Sequence, residues 1–110
     1  MASKTVINKI KEFAHQVNNC GVSLKRVILY GSYARNKQTK YSDMDVALVS
    51  DDFIGVPSED IKLFLKAMRN YYIIQLQTYN SKDFSAKNDP FVGEILKTGI
   101  EININQKYFK

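Results

Sequence analysis

The sequence predicts an α/β fold, a single small domain (residues 1–110) with a mixed four-stranded sheet and helices. Three observations lead there. Short apolar runs rich in β-forming residues recur along the chain: "RVILY", "MDVALV", "YYIIQLQTY" and "IEININ". Segments with helical spacing of apolar residues stand between and before them. The length, 110 residues, fits one domain with a modest core.

The elements follow in order. Val6, Ile10, Phe13 and Val17, with Ile7 and Ala14 alongside, predict a helix over residues 5–19, and Gly21 suits its end. "RVILY" reads as a buried strand. Residues 31–42 are a polar loop, with "SYAR" able to open a short helix. "MDVALV", residues 44–49, is the second strand. "SDDFIGVP" is a loop punctuated by Gly55 and Pro57. Ser58 is the expected N-cap of the next helix, with Glu59 and Asp60 favoured in its first turn by the helix dipole. Ile61, Phe64, Leu65 and Met68 form its apolar face. "YYIIQLQTY" is the third strand. Asp89, Pro90 and Gly99 mark the cap, first position and end of a last helix. Residues 100–105 alternate apolar and polar, as a strand with one wet face does.

Composition narrows the class. The apolar fraction of 45% and charged fraction of 25% are those of an ordinary globule. No apolar run reaches the roughly 20 residues that span a bilayer, and "MASKTVINKI" lacks the apolar core of a signal peptide. Cys20 is the single cysteine, so no internal disulfide forms, and a cytoplasmic protein is expected. Sixteen Lys and Arg against eleven Asp and Glu give a net charge of +5, which suits anionic partners. Arg35, Lys37 and Lys40 fall in the polar loop, where they could serve a bound anion. A nucleic-acid-binding module rests on charge alone, with no aromatic-and-basic RNA motif to support it, so nucleic acid is not the expected partner.

The chemistry concentrates in "LYGSYARNKQTKYSDMDVALV", residues 29–49. Alternate residues of a strand share a face, so Asp43 and Asp45 point the same way. Two like charges so placed repel and raise each other's proton affinity. A cation between them removes that cost, and Mg²⁺ favours such a pair of carboxylates together with water and substrate phosphates. Gly31 lets backbone approach a ligand closely, and the amides after it can face an anion. Ser32 adds a hydroxyl donor and Arg35 a fork of charge-assisted donors.

With the order strand, Gly31-Ser32, polar loop, then Asp43-Met44-Asp45 on a strand, the chain resembles the minimal nucleotidyltransferases of the DNA polymerase β-like superfamily. The signature is Gly-Ser, ten residues, then Asp-x-Asp, and residues 33–42 supply that interval. "DPFVGEILKTGIEI" is similar to the closing helix and strand of that group. The resemblance implies a polymerase β-like palm, Mg²⁺ held by Asp43 and Asp45 as the catalytic pair, and a nucleoside triphosphate held by Gly31, Ser32 and Arg35. A nucleoside monophosphate, expected to be AMP from ATP, would pass to a hydroxyl of a partner protein or small molecule.

Two departures from the signature are visible. Asn36 stands where a second glycine is frequent, and Asn tolerates left-handed backbone. The family's third carboxylate, on the third strand, is replaced by an amide: Gln75 by register, with Gln77 as the other candidate. Glu101 on the last strand is the acid that could act in its stead. A neutral amide can ligate a metal but cannot take a proton. The alternative to a working enzyme is therefore a degenerate member acting as a protein-binding module. Either suits the antitoxin half of a toxin–antitoxin pair with a HEPN-type helical partner, which the resemblance also implies. Self-association is left open. Tyr33, Tyr41, Tyr71 and Tyr72 could stack on a base but are more commonly core and rim residues. His15 reads as a surface or partly packed residue.

Overall fold

The computed structural model describes residues 3–40, 42–71 and 73–104. Helix α1 (Lys4–Asn19) is capped by Ser3, whose side chain accepts from the Val6 amide, and buries Ile10, Phe13, Ala14 and Val17. Gly21, at φ +101°, turns the chain out of it. Strands β1 (Leu24–Tyr30) and β2 (Met44–Ser50) pair antiparallel, and β3 (Ile74–Tyr79) lies parallel to β2. Strand β4 (Ile100–Glu101) closes the other edge, giving the order β3-β2-β1-β4. The mixed four-stranded sheet expected from the sequence is thus present.

The two faces of the sheet differ. One carries Val27, Leu29, Val46, Leu48, Ile74 and Leu76 into the main core against α1. The other carries Ile28 and Ala47 under Ile95 of helix α4 (Pro90–Thr98), with Tyr30, Tyr79 and Phe84 around them. A register shift between Leu24 and Arg26 resets the alternation, so Leu24 also joins the main core. Helix α4 has the expected ends: Asp89 accepts from the Phe91 amide, Pro90 opens the helix and Gly99 follows it. It connects β3 at one edge to β4 at the other, so it crosses the second face.

Three elements depart from expectation. The helix predicted after Ser58 is broken into α2 (Pro57–Asp60), a 3₁₀ segment (Ile61–Phe64) and α3 (Leu65–Met68). Its N-cap is Val56, without a side-chain bond, because Pro57 rather than Ser58 takes the first position. Leu65, expected on the apolar face, is 58% exposed, whereas Asp60 is buried. Asp60 accepts from the amides of Ile54 and Gly55 and from the Thr78 hydroxyl, and Phe64 packs on Phe13 and Phe53. Those two anchors, one of them polar, decide which side turns inward. The expected helix at "SYAR" is a run of turns, in which Arg35 N–H donates to Gly31 O and Lys37 N–H to Ser32 O. The last strand is two residues long; Ile102 still donates to Val27 O, and residue 105 of the predicted strand lies outside the described residues. No helix among the described residues is long and apolar enough to cross a membrane.

Candidate active site

The centre of the site is where β1 ends and β2 begins. Tyr30, the last residue of β1, pairs with Asp45. The chain then turns at Gly31, with φ +74°. A Cβ there would lie 2.3 Å from Asp45 Oδ2. Glycine is therefore required twice, by its left-handed backbone and by the carboxylate against it. The Arg35-to-Gly31 bond resembles a first helical turn. Such a turn leaves the amides of Ser32, Tyr33 and Ala34 without an acceptor four residues back. Asn36 sits at φ +56°, so the position often filled by glycine keeps its left-handed geometry.

Asp45 is half-buried and Asp43, just ahead of β2, is exposed. Burial, then the Asp43 charge, raises the Asp45 carboxyl above the usual carboxylate range. The two acids thus interact as like charges, as the sequence suggested. Burial also pushes the Tyr30 phenol well above its ordinary value, with Asp45 and Tyr79 adding to it.

On β3, Gln75 pairs in register with Asp45, and Gln77 pairs one step further on, with Ala47. Laterally paired residues share a face, so Gln75 is the amide beside Asp45. Glu101 is not available to the pair. Its two carboxylate oxygens accept from Arg26 Nε and Nη2 at 2.9 and 2.6 Å, which holds the Glu101 carboxyl below the usual range. Arg26 in turn lies over the Phe84 ring. Among the described residues no group of three or more His, Cys, Asp or Glu could hold a metal. The oxygens on offer are the carboxylates of Asp43 and Asp45 and, one strand over on β3, the amide of Gln75. These hard oxygens fit a Mg²⁺ that keeps waters and shares substrate phosphates.

The other candidates fall elsewhere. Tyr33 and Tyr71 are partly buried and pack against the main core. Tyr41 and Tyr72 lie outside the described residues. His15 is partly buried on α1, and Cys20 packs at the core edge. Arg35, Lys37 and Lys40 are exposed, and of these Arg35 lines a cavity of about 250 Å³. Tyr30 and Ile95 also line that cavity, with Gly31 beside Arg35. Phe91, Glu94 and Thr98 of α4 complete it. Sequence reasoning missed these α4 residues. Their signal was the i, i+3, i+4, i+7 spacing of Phe91, Glu94, Ile95 and Thr98, which reads as an ordinary amphipathic helix.

Comparison with known proteins bears on the family and the fold. The family described as Polymerase beta, Nucleotidyltransferase matches residues 8–108. A protein of Methanocaldococcus jannaschii named "Putative protein adenylyltransferase MJ0604" is 42% identical over 59 residues, covering 52% of this chain and 59% of that protein. The match thus spans somewhat more than half of that relative's length. A solved structure, "Crystal structure of a putative nucleotidyltransferase from Sulfolobus solfataricus", superimposes with a TM-score of 0.58 at 16% identity. The superposition covers 86% of this chain and 77% of that one, and establishes the fold.

Proposed function

The chain belongs to the polymerase β nucleotidyltransferase family, in its minimal nucleotidyltransferase group, and from that premise we propose that it transfers a nucleoside monophosphate, AMP from ATP, to a hydroxyl of a partner protein. The observation that carries this is the Asp45 carboxylate seated against Gly31 of the motif turn, with the Asp43 charge acting on it. The name of the Methanocaldococcus relative adds support for adenylyl transfer to protein.

In this reading Asp43 and Asp45 hold Mg²⁺. An ion held there would supply positive charge to neutralise the phosphate oxygens. The amides of Ser32, Tyr33 and Ala34 and the Ser32 hydroxyl hold the β- and γ-phosphates, and Arg35 adds charge from the turn. The acceptor oxygen forms a bond to the α-phosphorus, the bond to the bridging oxygen breaks, and pyrophosphate leaves. Positioning and charge stabilisation by the turn carry most of the rate. Gln75, paired with Asp45 on β3, takes no proton, so in this reading the acceptor proton leaves to water.

Calorimetric titration of ATP with and without Mg²⁺ tests the reading. Native protein binds ATP in a Mg²⁺-dependent way, and Asp43→Asn and Asp45→Asn lose that dependence. Equal affinity with and without the ion in native protein refutes it.

The absence of a third acid beside Asp43 and Asp45 among the described residues favours a second reading. There the chain is a weak enzyme that acts through protein contact, as the antitoxin of a HEPN-type helical partner. Ile54, Val56, Leu63 and Leu65 are exposed apolar side chains available for such a contact. Undetectable transfer together with stable co-purification of the partner selects this second reading.

A further inference from the structure

We propose that the cavity between the motif turn and α4 is a nucleobase site. In it Phe91 is the stacking face, and Glu94 selects bases that carry an amino group at the purine 6 position. The inference rests on the nucleotidyl-transfer reading, and it assigns a role to residues outside the Gly-Ser and Asp-x-Asp motifs.

Position is the first argument. Gly31 has Asp45 against it and also borders the cavity. A nucleotide whose phosphates rest on the Gly31-Ser32 turn therefore has this cavity one residue away. Size is the second. At about 250 Å³ the cavity is smaller than the roughly 300–1,000 Å³ of pockets that enclose a drug-sized ligand. It fits a base rather than a whole nucleotide.

Lining chemistry is the third argument. Tyr30, Ile95 and Phe91 make much of the wall aromatic or aliphatic, and Glu94 puts a carboxylate in it. A phosphate chain needs donors and is repelled by a carboxylate. A heterocycle with an amino group satisfies both features. The Phe91 ring meets Tyr30 edge-on, with centroids 5.7 Å apart and planes at 86°, yet Phe91 remains 45% exposed. A ring fixed by its neighbour and still open to solvent is ready to stack, and every base offers a π-face to it. Selection then falls to Glu94, whose carboxylate is acceptor-only. Adenine presents an N6 donor, which complements it. Guanine places an acceptor oxygen at the same position, against the carboxylate.

The test compares Mg²⁺-dependent affinities of four probes: ATP, purine riboside triphosphate (which lacks only the 6-amino group), GTP and inorganic tripolyphosphate. Native protein binds ATP about tenfold or more tighter than purine riboside triphosphate, the scale of one hydrogen bond to a charged group. GTP binds more weakly than ATP. Phe91→Ala weakens ATP and purine riboside triphosphate alike, by about tenfold. Glu94→Ala brings those two to equal affinity. Both side chains are exposed on α4, so both variants keep the fold. Tripolyphosphate affinity is unchanged in either variant.

Equal binding of ATP and purine riboside triphosphate by native protein overturns the inference. So does GTP binding as tightly as ATP, or ATP affinity unmoved by Phe91→Ala. In each of those cases Mg²⁺-dependent tripolyphosphate binding leaves the nucleotidyl-transfer reading standing. Failure of both ATP and tripolyphosphate to bind with Mg²⁺ overturns that reading and this inference together.

Discussion

Replacing Gly31 by alanine probes the contact that joins the two halves of the motif. The Cβ enters a backbone at φ +74°, a left-handed conformation that costs an ordinary L-residue roughly 1–2 kcal/mol. It also lands 2.3 Å from Asp45 Oδ2 and 3.2 Å from Asp45 Cγ, while its distance to Asp45 Cβ, 3.4 Å, is ordinary contact. The carboxylate must therefore rotate, at roughly 0.5–1.5 kcal/mol if it leaves its rotamer well. The two costs together are about 1.5–3.5 kcal/mol. For a domain of this size that lowers the melting temperature by roughly 6–15 °C. It leaves the chain folded if its native stability is in the usual range of about 5–15 kcal/mol. Urea denaturation of four proteins separates the costs: native, Gly31→Ala, Asp45→Ala and the double variant. In the Asp45→Ala background the offending oxygen is gone, so Gly31→Ala costs only the backbone part, and a coupling of about 1 kcal/mol appears. Mg²⁺-dependent ATP binding is lost in Gly31→Ala even where the protein is fully folded. A cost below about 0.5 kcal/mol, or an identical cost in both backgrounds, refutes the argument that Gly31 is required by the seated carboxylate.

Other substitutions test other parts. Asp45 has its carboxyl raised by burial and by Asp43, so the folded chain holds a proton there more tightly than the unfolded one. The stability this gives is present at acid pH and lost as pH rises through the raised folded value. Asp45→Asn is accordingly more stable than native protein at neutral pH without metal, by less than about 1 kcal/mol because water screens the half-buried group. The advantage shrinks as pH falls below the carboxylate range, and a melting series from pH 7 to pH 3 shows it or refutes it. Asp60→Ala strips acceptors from two amides and the Thr78 hydroxyl and costs about 3 kcal/mol, read as a lowered urea midpoint. Gln75→Asp restores an acid beside Asp45 and raises pyrophosphate release, with general-base help worth up to roughly 10²–10⁴-fold. Gln77→Asp, paired with Ala47, leaves the rate unchanged, and a rise there instead refutes the register argument.

The sequence by itself determined what lies within a few residues of its own signal. Asp89, Pro90 and Gly99 bound a helix because a cap, a ring-fixed φ and a helix stop act locally. Gly31, Ser32, Asp43 and Asp45 identified the family because the motif is a spacing along the chain, and Asn36 kept its left-handed turn as its chemistry allows. What involved distant partners was open until the chain folded. The alternation of the third strand favoured Gln75 over Gln77, but its place beside Asp45 is fixed only because β3 returns parallel to β2, a register set some thirty residues away. Glu101 is withdrawn from the site because β4 pairs with β1 and brings it onto Arg26. The helix after Pro57 breaks because buried Asp60 ties the preceding loop to Thr78, and no apolar periodicity reports a polar anchor. The cavity exists because α4 joins opposite edges of the sheet. That crossing, and not any property of Phe91 or Glu94 alone, brings both residues to the Gly31 turn. Local signals depend on backbone chemistry within one or two turns. Pairing and crossing depend on how whole strands and helices bury their faces, and only the assembled sheet fixes that.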